Sequence, residues 1–179
     1  PDVVYVGEVR DAETAKVAMQ AANSGRYVLS TLHARSVAST VAGLLSMGLA
    51  PHTLAANLTG VVNVRLVRRL CTACRRPETP SEAFLQLCDE AGVPRPAELF
   101  RPEGCPACRS TGYRGRIGLY EVAGITTALA DAIVERLDER AFETVLRNAG
   151  VRPLRSDAVE KIAAGLVDER EASGVHWLA

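Results

Sequence analysis

Cys71-Thr-Ala-Cys74 and Cys105-Pro-Ala-Cys108 are two C-x2-C clips with 30 residues between them, a spacing that closes one tetrahedral metal site. Each clip turns two sulfurs toward a common point, and together they supply the four ligands, at about 2.3 Å each, of a structural Zn2+. Paired thiols near a βαβ pattern also occur in thioredoxin-like redox devices. The doubling of the clip favours metal. A fifth cysteine, Cys88, lies in the amphipathic stretch Ser81–Glu90 and is expected to be a small core residue. No charged segment followed by an apolar h-region opens the sequence, so a cytosolic thiol pool is expected.

A second chemistry is carried by Glu8 and His33. Val3-Val-Tyr-Val-Gly-Glu8 is an apolar strand pattern delivering a carboxylate at its C-terminal end, the side on which parallel α/β sheets bind ligands. This is the form of a Walker B element, whose acid orients Mg2+ or the attacking water in phosphoryl transfer. A solvated acid in a βα turn has the same pattern. Ser30-Thr-Leu-His33 ends the next strand, so Glu8 and His33 are expected to flank one crevice. A histidine there can donate to a γ-phosphate or report its presence, or can be a partly buried polar residue with a single hydrogen bond. A phosphate loop, G-x-x-x-x-G-K-[ST], is missing: Lys16 follows Ala15 and Lys161 follows Glu160. Opening at Pro1 directly on an apolar run, the sequence reads as a fragment that cannot bind ATP in the usual way alone, with any phosphate loop upstream.

The elements that must position these groups follow from pattern and punctuation. A helix is expected from its cap at Asp11 to about Ser24, closed by Gly25, between strands at Val3–Val6 and Tyr27–Leu32. The first strand reads as buried. Two strands joined by such a helix make a βαβ unit and a parallel sheet. Helices follow over about 36–47 and from Pro51 to about Asn63, then an extended segment over Val64–Val67. From Arg68 to about Tyr113 the chain is rich in cysteine, arginine and proline, as in a small module where metal substitutes for a hydrophobic core. Ile117–Val122 reads as a returning strand, and helices are expected over about 129–136, 139–149 and 156–164. The class is α/β, with an α/β core over 1–67, a tetracysteine module with its return strand over 68–122, and a helical subdomain over 123–179.

Charge narrows the partners. Lys plus Arg and Asp plus Glu both number 21 among 179 residues, for a formal net charge of zero. The balance drifts from 7 basic against 4 acidic over residues 1–69, through 7 against 7 over 70–124, to 7 against 10 over 125–179. A dedicated nucleic-acid module is far more basic, so no specific nucleic-acid partner is expected. No apolar run approaches the length needed to cross a bilayer, and a soluble chain is expected.

In order along the chain, Pro1–Thr14, Ser30–His33, Arg65-Leu-Val-Arg-Arg-Leu-Cys71, Gly112-Tyr-Arg-Gly-Arg-Ile-Gly118 and Leu154-Arg-Ser-Asp157 resemble the type II secretion and type IV pilus assembly ATPases. The resemblance runs over nearly all of the sequence and implies the C-terminal half of such a protein. It further implies a partial RecA-like parallel core, a zinc subdomain inserted between that core and a helical tail, Glu8 serving Mg2+ and water, and His33 sensing the γ-phosphate. Cys71, Cys74, Cys105 and Cys108 become zinc ligands. Arg10 and Arg65 become candidate nucleotide contacts, with a structural ion pair an equal reading of Arg10.

Proteins of this class are cytoplasmic homo-hexamers at the inner-membrane face, which use ATP to drive assembly of a pilus or pseudopilus through a membrane platform protein. Some positions depart from the family pattern. Ala34-Arg35 stand where Thr-Asn is usual, Val64 where Gln precedes the arginine, and Gly43 where an arginine is expected. All sit on the nucleotide side, which keeps open an alternative: a weakly catalytic subunit acting mainly as a docking module for the membrane platform.

Overall fold

A computed structural model describes residues 1–173. Residues 174–179, the end of the expected helical subdomain, lie outside the described residues. The chain divides into two compact units, with two of the three crossings inside strands and the third, after Val151, in the connection between two helices. The first comprises Pro1–Asn63 and Glu121–Val151, the second Val64–Tyr120 and the described residues from Arg152 onward.

In the first unit, β1 (Val3–Val6), α1 (Ala12–Asn23) and β2 (Tyr27–Ser30) form the βαβ element, with β1 parallel to β2 in the register Val3↔Tyr27 to Val6↔Ser30. Asp11 caps α1, its Oδ1 accepting the Thr14 amide at 2.8 Å. The alternation of the pair sends Val6 and Val28 toward the core, whereas Val3, Tyr5, Tyr27 and Leu29 stay exposed. The expectation of a buried first strand therefore holds for one face only. Each sheet among the described residues has two strands, and β1–β2 is a parallel pair.

Helices α2 (Val37–Ser46) and α3 (Pro51–Asn57) follow, and α5 (Thr127–Val134) and α6 (Glu139–Asn148) complete the unit's core. Their buried residues include Val37, Val41, Leu54, Leu129, Ile133, Phe142 and Leu146. Each such side chain withdrawn from water contributes about 1.5–3 kcal/mol. Helix α3 is shorter than its pattern suggested. Leu58 turns extended, and the chain enters β3 (Gly60–Leu70), which claims the valine-rich Val61-Val62-Asn63-Val64 run.

In the second unit, β4 (Arg76–Glu78) and β5 (Leu99–Arg101) pair antiparallel on either side of α4 (Glu82–Ala91). Helix α4 runs from its Ser81 cap to Gly92 at φ +65° and packs Phe84 and the fully buried Cys88 into a second core. That core also takes Val67, Leu99, Leu119 and, from α7 (Leu154–Ala163), Val159 and Ile162. The short helix α8 (Glu169–Ser173) ends the described chain. Strand β6 (Tyr113–Gly124) pairs with β3, and both strands run through the boundary between the units. The C-terminal helices are accordingly divided, α5 and α6 belonging to the first unit and α7 and α8 to the second. No helix among the described residues is long and apolar enough to cross a membrane.

Candidate functional site

The ends of β1 and β2 are tied together before either functional side chain is considered. Thr31 Oγ1 donates to the Gly7 carbonyl at 2.7 Å, and the Val9 amide donates to the Thr31 carbonyl at 2.9 Å. This stitch places Glu8 between two fixed backbone positions and sets His33 beside it. His33 Nε2 lies 2.8 Å from Glu8 Oε1, and Arg10 Nε donates to Glu8 Oε2 at 2.6 Å. Glu8 is 21% exposed at the side chain, against 88% for His33 and 74% for Arg10.

Oε1 is shielded from solvent and finds no donor among the described residues other than His33. The contact is a hydrogen bond when Nε2 carries the proton and leaves Oε1 unsatisfied in the other neutral tautomer. The Arg10 hydrogen bond, with the positive charge of Arg10 and the proximity of His33, holds the Glu8 carboxyl below its ordinary range against the opposing effect of desolvation. Glu8 is therefore an ionised oxygen donor at neutral pH. An open pocket of about 190 Å³ lies over it, lined also by Arg10, His33, Ser39, Thr40, Ala34 and Gly43.

The structure thus brings together Glu8, His33 and Arg10, while Arg65 lies on β3 in the second unit. Residues that pattern reading passed over complete the first unit's site. Thr31 makes the stitch just described, and Asn63 and Glu121 are buried beneath the His33 loop. The signal for Glu121 was its place on the apolar side of an alternating strand, whereas Asn63, expected at the end of a helix, gave none.

In the second unit the four cysteines converge, their sulfurs all within 4.8 Å of one another. Cys71–Cys105, Cys74–Cys108 and Cys105–Cys108 are separated by 4.0, 3.8 and 3.8 Å. A tetrahedron with Zn–S bonds of about 2.3 Å has edges of about 3.8 Å, whereas disulfide sulfurs are bonded at about 2.05 Å. The donor set and its spacing fit Zn2+. Amides aim at the sulfurs as well: Gly104 donates to Cys74 Sγ at 3.4 Å, and Cys105 and Gly112 each donate to Cys108 Sγ at 3.2 Å. Burial raises the Cys108 thiol, but the Cys105 and Gly112 amides together with the neighbouring Cys105 and Cys74 thiols outweigh it and bring it down to about 6.

The second clip is folded by backbone that few residues allow. Pro106 opens a single 3-10 turn, and Arg109 and Ser110 follow at φ 54° and 59°. A Cβ at Gly112, itself at φ +77°, would lie 2.5 Å from Pro102 Cβ.

With these sites laid out, comparison with known proteins assigns the family. A sequence profile described as Type II/IV secretion system protein matches residues 1–174. The chain belongs to this secretion family. It is 40% identical over 167 residues to the putative type II secretion system protein E of Escherichia coli K12, covering 92% of this chain and 33% of that protein. It is 38% identical over 175 residues to the type II secretion system ATPase E of Vibrio cholerae, covering 98% and 34%. To the type IV pilus assembly ATPase PilB of Acinetobacter baylyi it is 36% identical over 179 residues, covering 98% and 31%. The chain spans about a third of the length of these relatives.

Among solved structures, the pilus retraction motor PilT with bound ADP matches at a TM-score of 0.65 and 19% identity, over 98% of this chain and 39% of that one. The Legionella pneumophila ATPase DotB matches at 0.64 and 20%, over 100% and 39%. At these identities the likeness is one of fold, the mixed α/β fold that the secretion-family chain shares with both.

Proposed function

We propose that this chain is part of an ATP-hydrolysing motor serving a type II secretion or type IV pilus machine, with Glu8 and His33 at the phosphate end of the nucleotide site. One observation carries the reading. An ionised carboxylate and an exposed imidazole meet at 2.8 Å at the carboxyl ends of adjacent parallel strands, over an open pocket. An ionised carboxylate is the hard oxygen donor that Mg2+ takes. When bound with ATP, Mg2+ neutralises phosphate charge. Glu8 orients water or a water-mediated metal contact, and His33, reaching into solvent from the next strand, donates to the terminal phosphate. Arg10 keeps Glu8 ionised.

The four cysteines hold one structural Zn2+, which substitutes for hydrophobic packing around the two clips. A cytoplasmic homo-hexamer working at the inner-membrane face against a platform protein belongs to the same proposal, and the relatives' names, those of secretion and pilus proteins, support assembly partners. The three-part division into core, zinc module and helical tail belongs to the same reading.

A second reading, a weakly catalytic subunit that mainly docks, has an observation of its own. Ala34 and Gly43, two departures from the family pattern, both line the pocket and bring no polar side chain to it. Glu8→Gln in the full-length protein separates the two. The motor reading expects ATP binding retained and turnover reduced by about 100-fold or more, in line with loss of a single positioned catalytic group. Turnover that is slow in the parent and unchanged by the substitution selects the docking reading.

A further inference from the structure

His33 is a side chain with almost no packing around it, since 88% of it is exposed. Its position is therefore inherited from the backbone on either side. On the N-terminal side the anchor is Thr31, hydrogen-bonded to Gly7 and Val9. On the C-terminal side several backbone groups from Arg35 to Val37 meet side chains. The amides of Arg35 and Ser36 donate to Ser39 Oγ at 3.0 and 2.9 Å. The Arg35 carbonyl accepts from Asn63 Nδ2 at 2.9 Å, and the Val37 amide donates to Glu121 Oε2 at 3.0 Å. Asn63 Nδ2 also reaches Glu121 Oε2 at 3.2 Å, joining the two side chains.

Asn63 and Glu121 are each 7% exposed, on β3 and β6. An apolar pair would be less costly to bury at these strand positions, and a buried carboxylate is retained only where its hydrogen bonds are made. Here those bonds go to one place, the two residues after the segment that carries His33. We propose that Glu121 and Asn63 are positioning residues, a buried clamp that fixes the Arg35–Val37 backbone and through it the location of His33 at the nucleotide site. The clamp rests on the reading of His33 given above. It accounts for two polar residues that neither face the pocket nor touch the zinc cluster.

The test uses the full-length protein with Glu121→Ala, Glu121→Gln, Asn63→Ala and His33→Ala, alone and combined with His33→Ala. Amide hydrogen exchange without nucleotide is expected to rise over residues 31–40 in Glu121→Ala and to stay unchanged over 51–57 in α3. Glu121→Gln keeps an acceptor oxygen and is expected to stay near the parent. In turnover, Glu121→Ala is expected to lower kcat about tenfold with nucleotide KM little changed. On that background His33→Ala should cost less than about threefold more, though it costs tenfold or more in the parent.

If Glu121→Ala does not yield folded protein, Asn63→Ala carries the same cycle with the carboxylate left in place. Additive kinetic losses, or unchanged exchange over 31–40, overturn the clamp while leaving His33's role standing. Parent-like turnover in His33→Ala removes that role itself, and the positioning role with it.

Discussion

Glu171 takes hold of Arg68 at three points: its Oε1 accepts the Arg68 amide at 2.9 Å, and its Oε2 accepts Nε at 2.8 Å and Nη2 at 2.6 Å. The same guanidinium lies 4.0 Å over the Tyr113 ring, whose hydroxyl donates to the buried Asp168 at 2.7 Å. Helix α8 is thus joined to the ends of β3 and β6 by a string of charge-assisted contacts.

A pH dependence follows. The Arg68 hydrogen bond is the largest influence on the Glu171 carboxyl and holds it below 4.5, its ordinary value. A depressed folded-state pKa gives stability that is complete above the unfolded value and is lost as pH falls through the folded one. Arg68 is 55% exposed, so screening limits the contribution to about 1 kcal/mol. Thermal melts of parent and Glu171→Gln are expected to differ by a constant amount from pH 8 to about pH 5, and to converge below it.

Metal analysis of the purified protein is expected to give one zinc per chain. Cys71→Ser, or removal of zinc by a chelator, should open the two clips to trypsin at Arg75 and Arg109, because metal binding of about 10–16 kcal/mol takes the part of a core there. A metal-free Cys71→Ser protein as trypsin-resistant as the parent would contradict a structural zinc.

Gly112→Ala should be among the most damaging changes at the cluster. It forces an L-residue into φ +77°, costing at least about 1–2 kcal/mol, and puts a methyl against Pro102. The Gly112 carbonyl also accepts the Cys71 amide at 2.9 Å, so the shift that relieves the clash disturbs both clips. Faster zinc transfer to a chromogenic chelator than from the parent is the expected readout.

Gly43→Ala should act in the opposite direction. Gly43 lies inside α2, and a Cβ there meets nothing within 4 Å. Replacing it removes the helix-interior penalty of glycine and is expected to raise unfolding stability by up to about 1 kcal/mol in denaturant melts. A loss of stability would mean that the pocket wall needs the gap.

What the sequence disclosed, it disclosed through groups with fixed local geometry. The C-x2-C spacings announced convergent sulfurs because two residues are all that one tight turn holds. Asp11, Ser36 and Asp138 marked helix starts because a short oxygen side chain there reaches a first-turn amide. Glu8 and His33 could be set side by side from strand order alone. Long-range choices were hidden. The end of α3 was misread because Val61-Val62-Asn63-Val64 suits either period until β6 supplies a partner. Arg65 could be linked to the nucleotide by motif, but its unit is decided by which core Val67 joins. Glu121 looked like a polar residue in an alternating strand, and only the closing of the fold over Val37 shows where its oxygen goes.

Strand β6 buries Leu119, Glu121 and Ala123 on one side of its pleat and leaves Tyr120, Val122 and Gly124 on the other. The strand therefore counts in twos. Removing one residue between Gly118 and Glu121 would exchange the two sets, turning the carboxylate outward and a tyrosine or valine inward, while removing two would restore the side though not the reach. Length changes in this stretch should thus be governed by parity before size, and a single-residue deletion there should harm the protein more than most point substitutions at the same positions.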